Sequence, residues 1–212
     1  MKVNNYPLKT PNAGDKLFGS DSSGDQYQFD MTAVSSNVFQ YQIGEYVVDE
    51  GGVIFHRYID NGIQYYLVVD TIDLSTSSAW SNVASTLIGT AAQSSWDGLS
   101  NSNAIVGQSG FTSGAAKLCL DSTNNGKSDW YLPAIDELSL LWQNKFNINK
   151  TLSGNSSFGP ISGSSLLTFQ LYWSSAEFDS SNSLGLFFQN GSISANGKSF
   201  SNYVRAVRKF NI

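Results

Sequence analysis

The segment 121–129 is the part of the sequence whose residue types and spacing could bind a metal ion. Four side chains bear oxygen at positions 1, 3, 5 and 9 of a calcium-loop pattern; they are Asp121, Thr123, Asn125 and Asp129. Gly126 takes position 6, as in such loops, but Leu132 takes position 12, where a bidentate glutamate is required. Since Asp and Asn also favour turns, we predict a polar turn and no cofactor, with Ca²⁺ binding as the alternative.

The sequence lacks the usual set of residues for nucleophilic catalysis. His56 is the single histidine, and it lies in a strand-like pattern with no serine motif beside it. The segment 107–110 does not match the Gly-x-Ser-x-Gly nucleophile elbow. Cys119, the single cysteine, lies among apolar residues and is predicted to be a buried, unreactive thiol. We therefore predict a protein without enzymatic activity, although a carboxylate pair for glycoside cleavage stays open.

Three polar segments that carry aromatic side chains are the candidates for ligand binding. They span residues 93–102, 178–182 and 194–202, and they are rich in Ser, Asn and Gly, as adaptable recognition loops are. The predicted ligand-binding residues are Trp96, Phe178, Asp179, Asn182, Asn196, Phe200 and Asn202. Aromatic side chains in such loops are typical anchors of an interface. The alternative is that Phe200 belongs to the core and that the loops bind nothing.

The strands that must position these loops follow from the hydrophobic pattern. Apolar runs over 52–59 and 63–69 flank the pair Asn61 and Gly62, which predicts a β-hairpin with a primed turn. Four further strands are predicted over 171–175, 183–188, 192–194 and 203–208. We expect these to form an antiparallel meander that ends the chain.

The helices are predicted between these two groups of strands. Apolar residues at helical spacing predict helices over 75–88 and 114–120, and a third helix begins near Trp130. The segment 94–109 is predicted to be a long polar loop. Three tryptophans are predicted core residues, namely Trp130, Trp142 and Trp173. Helices grouped between strands favour an α+β fold.

Composition excludes several classes of protein. The 212 residues are 13% aromatic and 14% charged, with a net charge of −5 at pH 7. The aromatic content is that of a chain with a packed core, and the acidic balance argues against binding to nucleic acid. No apolar run approaches the ~18 residues of a membrane span, and residues 1–10 lack a signal-like apolar core. We expect a soluble protein with no membrane insertion, made in a reducing compartment.

The first 44 residues form a segment of different character. Alternating residues predict short strands over 16–19 and 26–31, on either side of a polar tip. A two-stranded hairpin alone is marginally stable in water, so this arm needs a partner surface. The stretches 15–21 and 31–34 resemble the opening of bacteriophage tail-fibre and other virion-appendage proteins. The resemblance implies that residues 1–44 attach the protein to other virion proteins or organise an oligomer.

Residues 45–212 carry several motifs that occur together, in this order, in one known family. The motifs span 51–55, 115–119, 129–138, 172–177, 187–191 and 204–208. They resemble the C-terminal domain of collagen-like bacterial adhesins, the Lcl C-terminal domain. The resemblance implies a C-type-lectin-like α+β fold, in which antiparallel strands surround two or three helices.

Together the two resemblances imply a phage protein that recognises the host. The leading expectation is a non-enzymatic appendage on the outer surface of the virion, such as a tail or head fibre. Its lectin-like domain would bind a host-surface glycan or protein, and by analogy the chain would form a homotrimer. A purely structural virion component, such as a capsid decoration or tail connector protein, is the first alternative. A cellular surface adhesin and a carbohydrate hydrolase are the others.

Overall fold

The computed structural model describes residues 16–20, 23, 26–30, 39–158 and 161–212. The chain divides into two units, residues 1–40 and 41–212. The smaller unit contains two antiparallel strands, β1 (Lys16–Ser20) and β2 (Gln26–Asp30). The two strands predicted for the arm are therefore confirmed, while most of the rest of the arm lies outside the described residues.

The larger unit contains a four-stranded antiparallel sheet. Its strands are β3 (Tyr46–Val47), β4 (Gly52–Asp60), β5 (Ile63–Val69) and β11 (Val207–Asn211), in the order β11-β5-β4-β3. β4 and β5 form the predicted hairpin, and the positive φ angles of Asn61 (49°) and Gly62 (81°) fit a primed turn. His56 and Lys209 both lie opposite Leu67, so these three side chains share one face of the sheet.

A five-stranded sheet lies in the same unit. Its strands are β6 (Ser75–Ser78), β7 (Leu171–Glu177), β8 (Asn182–Phe187), β9 (Ile193–Gly197) and β10 (Asn202–Val204), in the order β6-β10-β7-β8-β9. β7, β8 and β9 form the predicted antiparallel meander. β10, however, pairs with β7 in parallel, so the expectation of antiparallel strands alone is wrong.

The prediction of one final strand over 203–208 is also wrong, because the chain changes sheets there. Arg205 lies between β10 and β11 and is buried. Its guanidinium donates to the Asp73 carboxylate (2.8 Å) and to the backbone oxygens of Asp70 and Ser165 (2.9 Å each). A buried guanidinium needs these acceptors, and reaching them breaks the strand.

Four α-helices occur in the described part of the chain, where two or three were predicted. They are α1 (Gly98–Val106), α2 (Ala115–Leu120), α3 (Ile135–Gln143) and α4 (Lys145–Leu152). The helix predicted over 114–120 is confirmed as α2. α1 lies inside the segment predicted to be a polar loop, and it begins there because the Asp97 carboxylate accepts a hydrogen bond from the Ser100 backbone N–H (3.0 Å).

Two other helix predictions are wrong, one in the type of secondary structure and the other in the residue at which the helix begins. The segment predicted as a helix over 75–88 begins as β6 and continues as irregular chain, because β6 pairs with β10 and the Trp80 indole N–H donates to the Ser174 oxygen (2.8 Å). α3 begins at Ile135 and not near Trp130, because Tyr131 first makes two backbone hydrogen bonds to Val207 of β11.

The core of the larger unit joins both sheets to α3 and α4. Its apolar cluster includes Phe55, Val69, Leu138, Leu141, Ile148, Tyr172 and Phe188. Trp130 and Trp173 are fully buried, as predicted, and Trp142 is partly buried. Cys119 is buried, which raises the pKa of its thiol, so the prediction of a buried cysteine is confirmed. No helix in the described ranges is long and apolar enough to cross a membrane.

Candidate functional site

A cavity of about 440 Å³ opens between the four-stranded sheet and the N-terminal ends of α1 and α3. Its lining includes His56, Tyr58, Trp96, Asp97, Asp136 and Glu137. Asp129 also lines the cavity, so its lining contains four carboxyl groups, and we therefore call it the acidic cavity. Its volume falls in the range of ~300–1,000 Å³ that is usual for ligand pockets.

Hydrogen bonds fix two carboxylates at the N-terminal ends of α1 and α3, the half-buried Asp97 and the exposed Asp136. Both oxygens of Asp97 accept hydrogen bonds from Ser100, one from the backbone N–H (3.0 Å) and one from the hydroxyl (2.7 Å). The carboxylate of Asp136, in the first turn of α3, accepts a hydrogen bond from the Ser95 hydroxyl (2.5 Å). The backbone N–H of Asp136 donates to the backbone oxygen of Ser95 (2.8 Å). Negative charge is favourable at a helix N-terminus, so the fold holds these two carboxylates in place.

Glu137 forms the buried floor of the cavity. One of its oxygens accepts a hydrogen bond from the Tyr131 hydroxyl (2.7 Å), and the other accepts one from the Ala134 N–H (2.8 Å). Burial raises the pKa of Glu137 to about 7, with a further contribution from the charge of Asp97, while the hydrogen bonds from Tyr131 and Ala134 oppose the rise. A glycosidase acid must reach the glycosidic oxygen of its substrate. Because both oxygens of Glu137 are bonded inside the protein, the arrangement suits binding better than hydrolysis.

The raised pKa of Glu137 predicts a specific dependence of stability on pH. The folded protein binds a proton that the unfolded chain has lost, so this stabilisation is complete below pH 4.5 and disappears as the pH rises through about 7. Between these limits the free energy of unfolding should fall by on the order of 3 kcal/mol more in the wild type than in Glu137→Gln. Urea denaturation across this range measures the difference.

The comparison between the two proteins isolates Glu137 from other titrating groups. Burial lowers the pKa of His56, which makes stability rise with pH near 6.5, but it does so equally in both proteins. A glutamine at 137 keeps one oxygen to accept the backbone hydrogen bond of the helix cap. Parallel stability profiles for the two proteins would show that the pKa of Glu137 is the same in the folded protein as in the unfolded chain.

The sheet side of the cavity is aromatic. Tyr58 stacks on Tyr65 of the neighbouring strand, with ring centroids 5.0 Å apart, and His56 lies 6.1 Å from Tyr58. The Lys209 ammonium lies 5.8 Å from the ring centroid of Tyr65. Because burial lowers the pKa of His56, its ring is neutral near pH 7.

Trp96 is the predicted ligand-binding residue that the structure places at this cavity. Its side chain is 70% exposed at the cavity wall. Asp129, predicted as a possible metal ligand, also lines the cavity. Five further lining residues were not predicted to bind a ligand, namely His56, Tyr58, Asp97, Asp136 and Glu137. Two signals were available: Asp97 directly follows Trp96 and caps a helix, and His56 and Tyr58 alternate along one face of β4.

The other two predicted loops meet at a different place. Lys198 joins them, since its backbone N–H donates to the Ser181 oxygen and its ammonium donates to the Ser180 oxygen (both 2.9 Å). Phe178 and Phe200 are 57% and 61% exposed, so the alternative that Phe200 belongs to the core is wrong. Recognition by these loops stays a prediction.

The polar residues predicted in these two loops mainly support local turns. One Asp179 oxygen accepts hydrogen bonds from the backbone N–H groups of Ser181 (2.8 Å) and Asn182 (2.7 Å), and the Asn182 side chain also donates to it. These bonds lower the pKa of Asp179. Asn196 donates to the Ser194 oxygen (3.1 Å), while Asn202 lies in β10 opposite Ser78. The acidic cavity is therefore the stronger candidate site.

The segment predicted as a possible calcium loop directs its polar groups elsewhere. Asp121 pairs with Lys117 (2.7 Å), Asp129 pairs with Arg208 (2.6 Å), and the Asn125 amide N–H donates to the Gly51 oxygen (2.7 Å). Thr123 is exposed. Burial would raise the pKa of Asp129, but Arg208 outweighs it and lowers that pKa. Within the described ranges, no group of three or more His, Cys, Asp or Glu residues could hold a metal ion. Calcium binding at this segment stays the alternative to the predicted polar turn.

The larger unit can also be compared with known proteins. No curated protein is detectably similar in sequence to this chain. The sequence profile of the Lcl C-terminal domain matches residues 70–208, which is more than half of the 212 residues. The match includes both helix ends of the acidic cavity and the whole of the five-stranded sheet. The chain therefore belongs to the Lcl C-terminal domain family.

Proposed function

We propose that this chain is a non-enzymatic receptor-binding protein of a bacteriophage virion, and that its larger unit is a C-type-lectin-like domain that binds host-surface glycan in the acidic cavity. The observation that carries the proposal is the exposed indole of Trp96 beside a cavity of about 440 Å³ with aromatic and carboxylate walls. The family match to an adhesin domain supports a role in surface recognition.

The chemistry of the cavity suits a sugar ring. A pyranose presents a face of C–H groups, which packs on an exposed aromatic ring such as that of Trp96. Its hydroxyl groups donate to carboxylate oxygens, and Asp97 and Asp136 keep unused acceptor capacity beyond the bonds that fix them. Apolar surface with a few fixed polar groups is the usual composition of a small-molecule site.

Residues 1–44, which include the smaller unit (1–40), have a different role in the proposed function. Residues 1–44 attach the protein to other virion proteins on the outer surface of the particle, and the chain assembles as a homotrimer. The pair β1 and β2 supports the attachment role, because two strands alone are marginally stable in water and need a partner surface. The homotrimer rests on analogy with other virion appendages.

Substitution of Trp96 tests the proposed site. Trp96→Ala should weaken adsorption of the purified protein to host cells by roughly thirtyfold, the equivalent of about 2 kcal/mol for an aromatic anchor. Because Trp96 is exposed, its loss should change the free energy of unfolding by less than about 0.5 kcal/mol. Adsorption isotherms on host cells, together with urea denaturation, measure the two effects.

Phe178→Ala is the matched control, since Phe178 is also an exposed aromatic residue but lies in a loop away from the cavity lining. If the acidic cavity is the recognition site, the adsorption of Phe178→Ala equals that of the wild type. Loss of adsorption in Phe178→Ala alone would place recognition in the segments 178–182 and 194–202. A folded wild-type protein that adsorbs to no host cell would favour a structural virion component.

A further inference from the structure

We infer that the acidic cavity selects a glycan whose sugars carry free, protonated amino groups, and that it disfavours the same sugar when the amine is acetylated. This inference rests on the proposed function, because it names the class of glycan that the same cavity takes. It follows from three features of the cavity: carboxylates without an ion-pair partner, a shortage of cations, and an exposed aromatic face.

The first feature is that the four carboxyl groups of the cavity differ in whether their charge is available to a ligand. Asp129 is neutralised by Arg208, which approaches its two oxygens at 2.6 and 2.9 Å, and Glu137 is buried and bonded to Tyr131 and Ala134. Asp97 and Asp136 differ from both. They lie at the helix ends, where Asp136 is exposed and Asp97 is half-buried, and within the described ranges neither forms an ion pair. Two fixed negative charges are thus available to a ligand.

The second feature concerns the groups that face these carboxylates from the other elements. Among the described residues that line the cavity, β4 contributes His56, which is neutral near pH 7, and β11 contributes Lys209. Lys209 lies over the Tyr65 ring on the sheet side, whereas Asp97 and Asp136 lie on the helix side. Opposite charge within a few ångströms is strongly preferred in a partly dehydrated site. A cationic group therefore complements the helix side of the cavity, and a sulfated or carboxylated sugar does not.

The third feature is aromatic. Trp96 directly precedes Asp97 and is 70% exposed, and Tyr58 lines the sheet side. An ammonium group is attracted to the face of an indole or phenol ring within about 6 Å. The same indole face also packs on the C–H groups of the sugar ring. An amino sugar satisfies both the aromatic and the carboxylate groups of the cavity, whereas an acetamido sugar carries no charge to offer the carboxylates.

Two oligosaccharides of equal length test the inference, because they differ only in the amine. The probes are a β-1,4-linked glucosamine hexamer and its fully N-acetylated counterpart, titrated into the 212-residue protein by calorimetry at pH 6 and low salt. We expect the amino hexamer to bind at least tenfold more tightly than the acetylated one. We also expect its affinity to fall as salt is added, since the partners are charged.

The double variant Asp97→Asn with Asp136→Asn removes the two charges with little change in shape. Asn caps a helix about as well as Asp does, and an amide oxygen at 136 still accepts from the Ser95 hydroxyl. Its affinity for the amino hexamer should fall about tenfold or more, while its affinity for the acetylated hexamer stays the same. The matched control is Asp49→Asn with Asp121→Asn, which removes two exposed carboxylates outside the cavity and should bind as the wild type does.

The possible outcomes separate this inference from the proposed function. Equal or tighter binding of the acetylated hexamer, lost in Trp96→Ala, would overturn the amine preference and leave glycan binding in the cavity intact. Equal losses of affinity for the amino hexamer in the cavity variant and the control variant would overturn the inference, because the effect would then come from net charge and not from Asp97 and Asp136. Binding of neither hexamer would also overturn it. Host-cell adsorption that is unaffected by Trp96→Ala would instead overturn the proposed function.

Discussion

Replacement of Lys198 by methionine is expected to lower the free energy of unfolding by about 3–5 kcal/mol. The Lys198 ammonium is fully buried and donates to the Glu177 carboxylate (2.6 Å) and to the backbone oxygens of Thr86 (3.0 Å) and Ser180 (2.9 Å). It also lies 5.2 Å from the centroid of the Trp80 ring. Without it, the Glu177 charge stays buried with no cation beside it, and this is the costly step.

The surface pair Lys117 and Asp121 provides the matched control for this prediction. Both side chains are exposed and lie one helical turn apart, so Lys117→Met should cost less than about 0.5 kcal/mol. Urea denaturation at pH 7 measures both variants. Equal effects of Lys198→Met and Lys117→Met would mean that the buried pair is solvated in solution.

A second substitution shows whether the loss of stability in Lys198→Met comes from the Glu177 charge that is left without a cation. Adding Glu177→Gln to Lys198→Met removes the buried charge but keeps an oxygen for the N–H groups of Ile88 and Gly89, which donate to Glu177 at 2.8–3.0 Å. The double variant should therefore be more stable than Lys198→Met alone. A double variant that is less stable would assign the cost to lost packing of the lysine stem.

The Lys198 network also illustrates what the sequence could not predict. Lys198 follows Gly197 and precedes Ser199, a pattern typical of an exposed turn, and its partner Glu177 lies 21 residues away. Lysine is seldom fully buried unless it is paired. The pairing appears only when the loop after β7 and the turn after β9 come together, which is a property of the tertiary structure.

Local patterns, by contrast, were sufficient where chemistry within a few residues decides the conformation. The hairpin at Asn61 and Gly62 was predicted because this pair accepts positive φ angles. α2 was predicted from its apolar residues, and the Trp130 and Trp173 side chains are buried as expected. Prediction failed over 75–88, where helical spacing was outweighed by pairing with a strand more than a hundred residues later.

The acidic cavity could be predicted from the sequence only in part. Trp96 was predicted to bind a ligand from its position in a polar segment, and the structure places it at the cavity. The opposite wall, with His56 and Tyr58, comes from a strand that precedes Trp96 by about 40 residues. Asp136 and Glu137 both lie in the first turn of α3, where Glu137 caps the helix by accepting the Ala134 N–H and Asp136 binds the Ser95 hydroxyl. A helix cap and a binding group look alike in sequence when both lie in a first turn.

Replacement of Gly98 by alanine is expected to destabilise the larger unit by about 3 kcal/mol or more. A Cβ atom at 98 would lie 2.5 Å from the Glu137 carboxylate, 2.6 Å from the Ala134 backbone nitrogen and 2.7 Å from the Leu132 backbone oxygen. Two of these are backbone atoms, so α1 must move away from the segment before α3. Overpacking costs about 1–3 kcal/mol, and disturbing the hydrogen bonds of buried Glu137 adds about 1–3 kcal/mol.

Gly107→Ala, at the other end of α1, is the matched control. Gly107 has a right-handed backbone conformation (φ −77°, ψ −7°) that alanine adopts readily, and a Cβ atom there would approach the Asn103 oxygen no closer than 3.2 Å. Alanine also restricts the unfolded chain, so the free energy of unfolding should change by less than about 1 kcal/mol. Equal effects at 98 and 107 would show that the junction at Gly98 relaxes without cost.

The Gly98→Ala variant should also lose ligand affinity while it is still folded. The close approach of α1 to the segment 132–134 sets the distance between Asp97 on one helix end and Asp136 on the other, because both carboxylates are fixed to those ends by hydrogen bonds. A displaced α1 would separate the two charges that a protonated amino sugar would contact, and preorganised groups lose much of their effect when they move. Calorimetry with the glucosamine hexamer, well below the unfolding temperature, should therefore show weaker binding in Gly98→Ala than in Gly107→Ala. Equal affinities would mean that the Gly98 junction stabilises the fold without shaping the cavity.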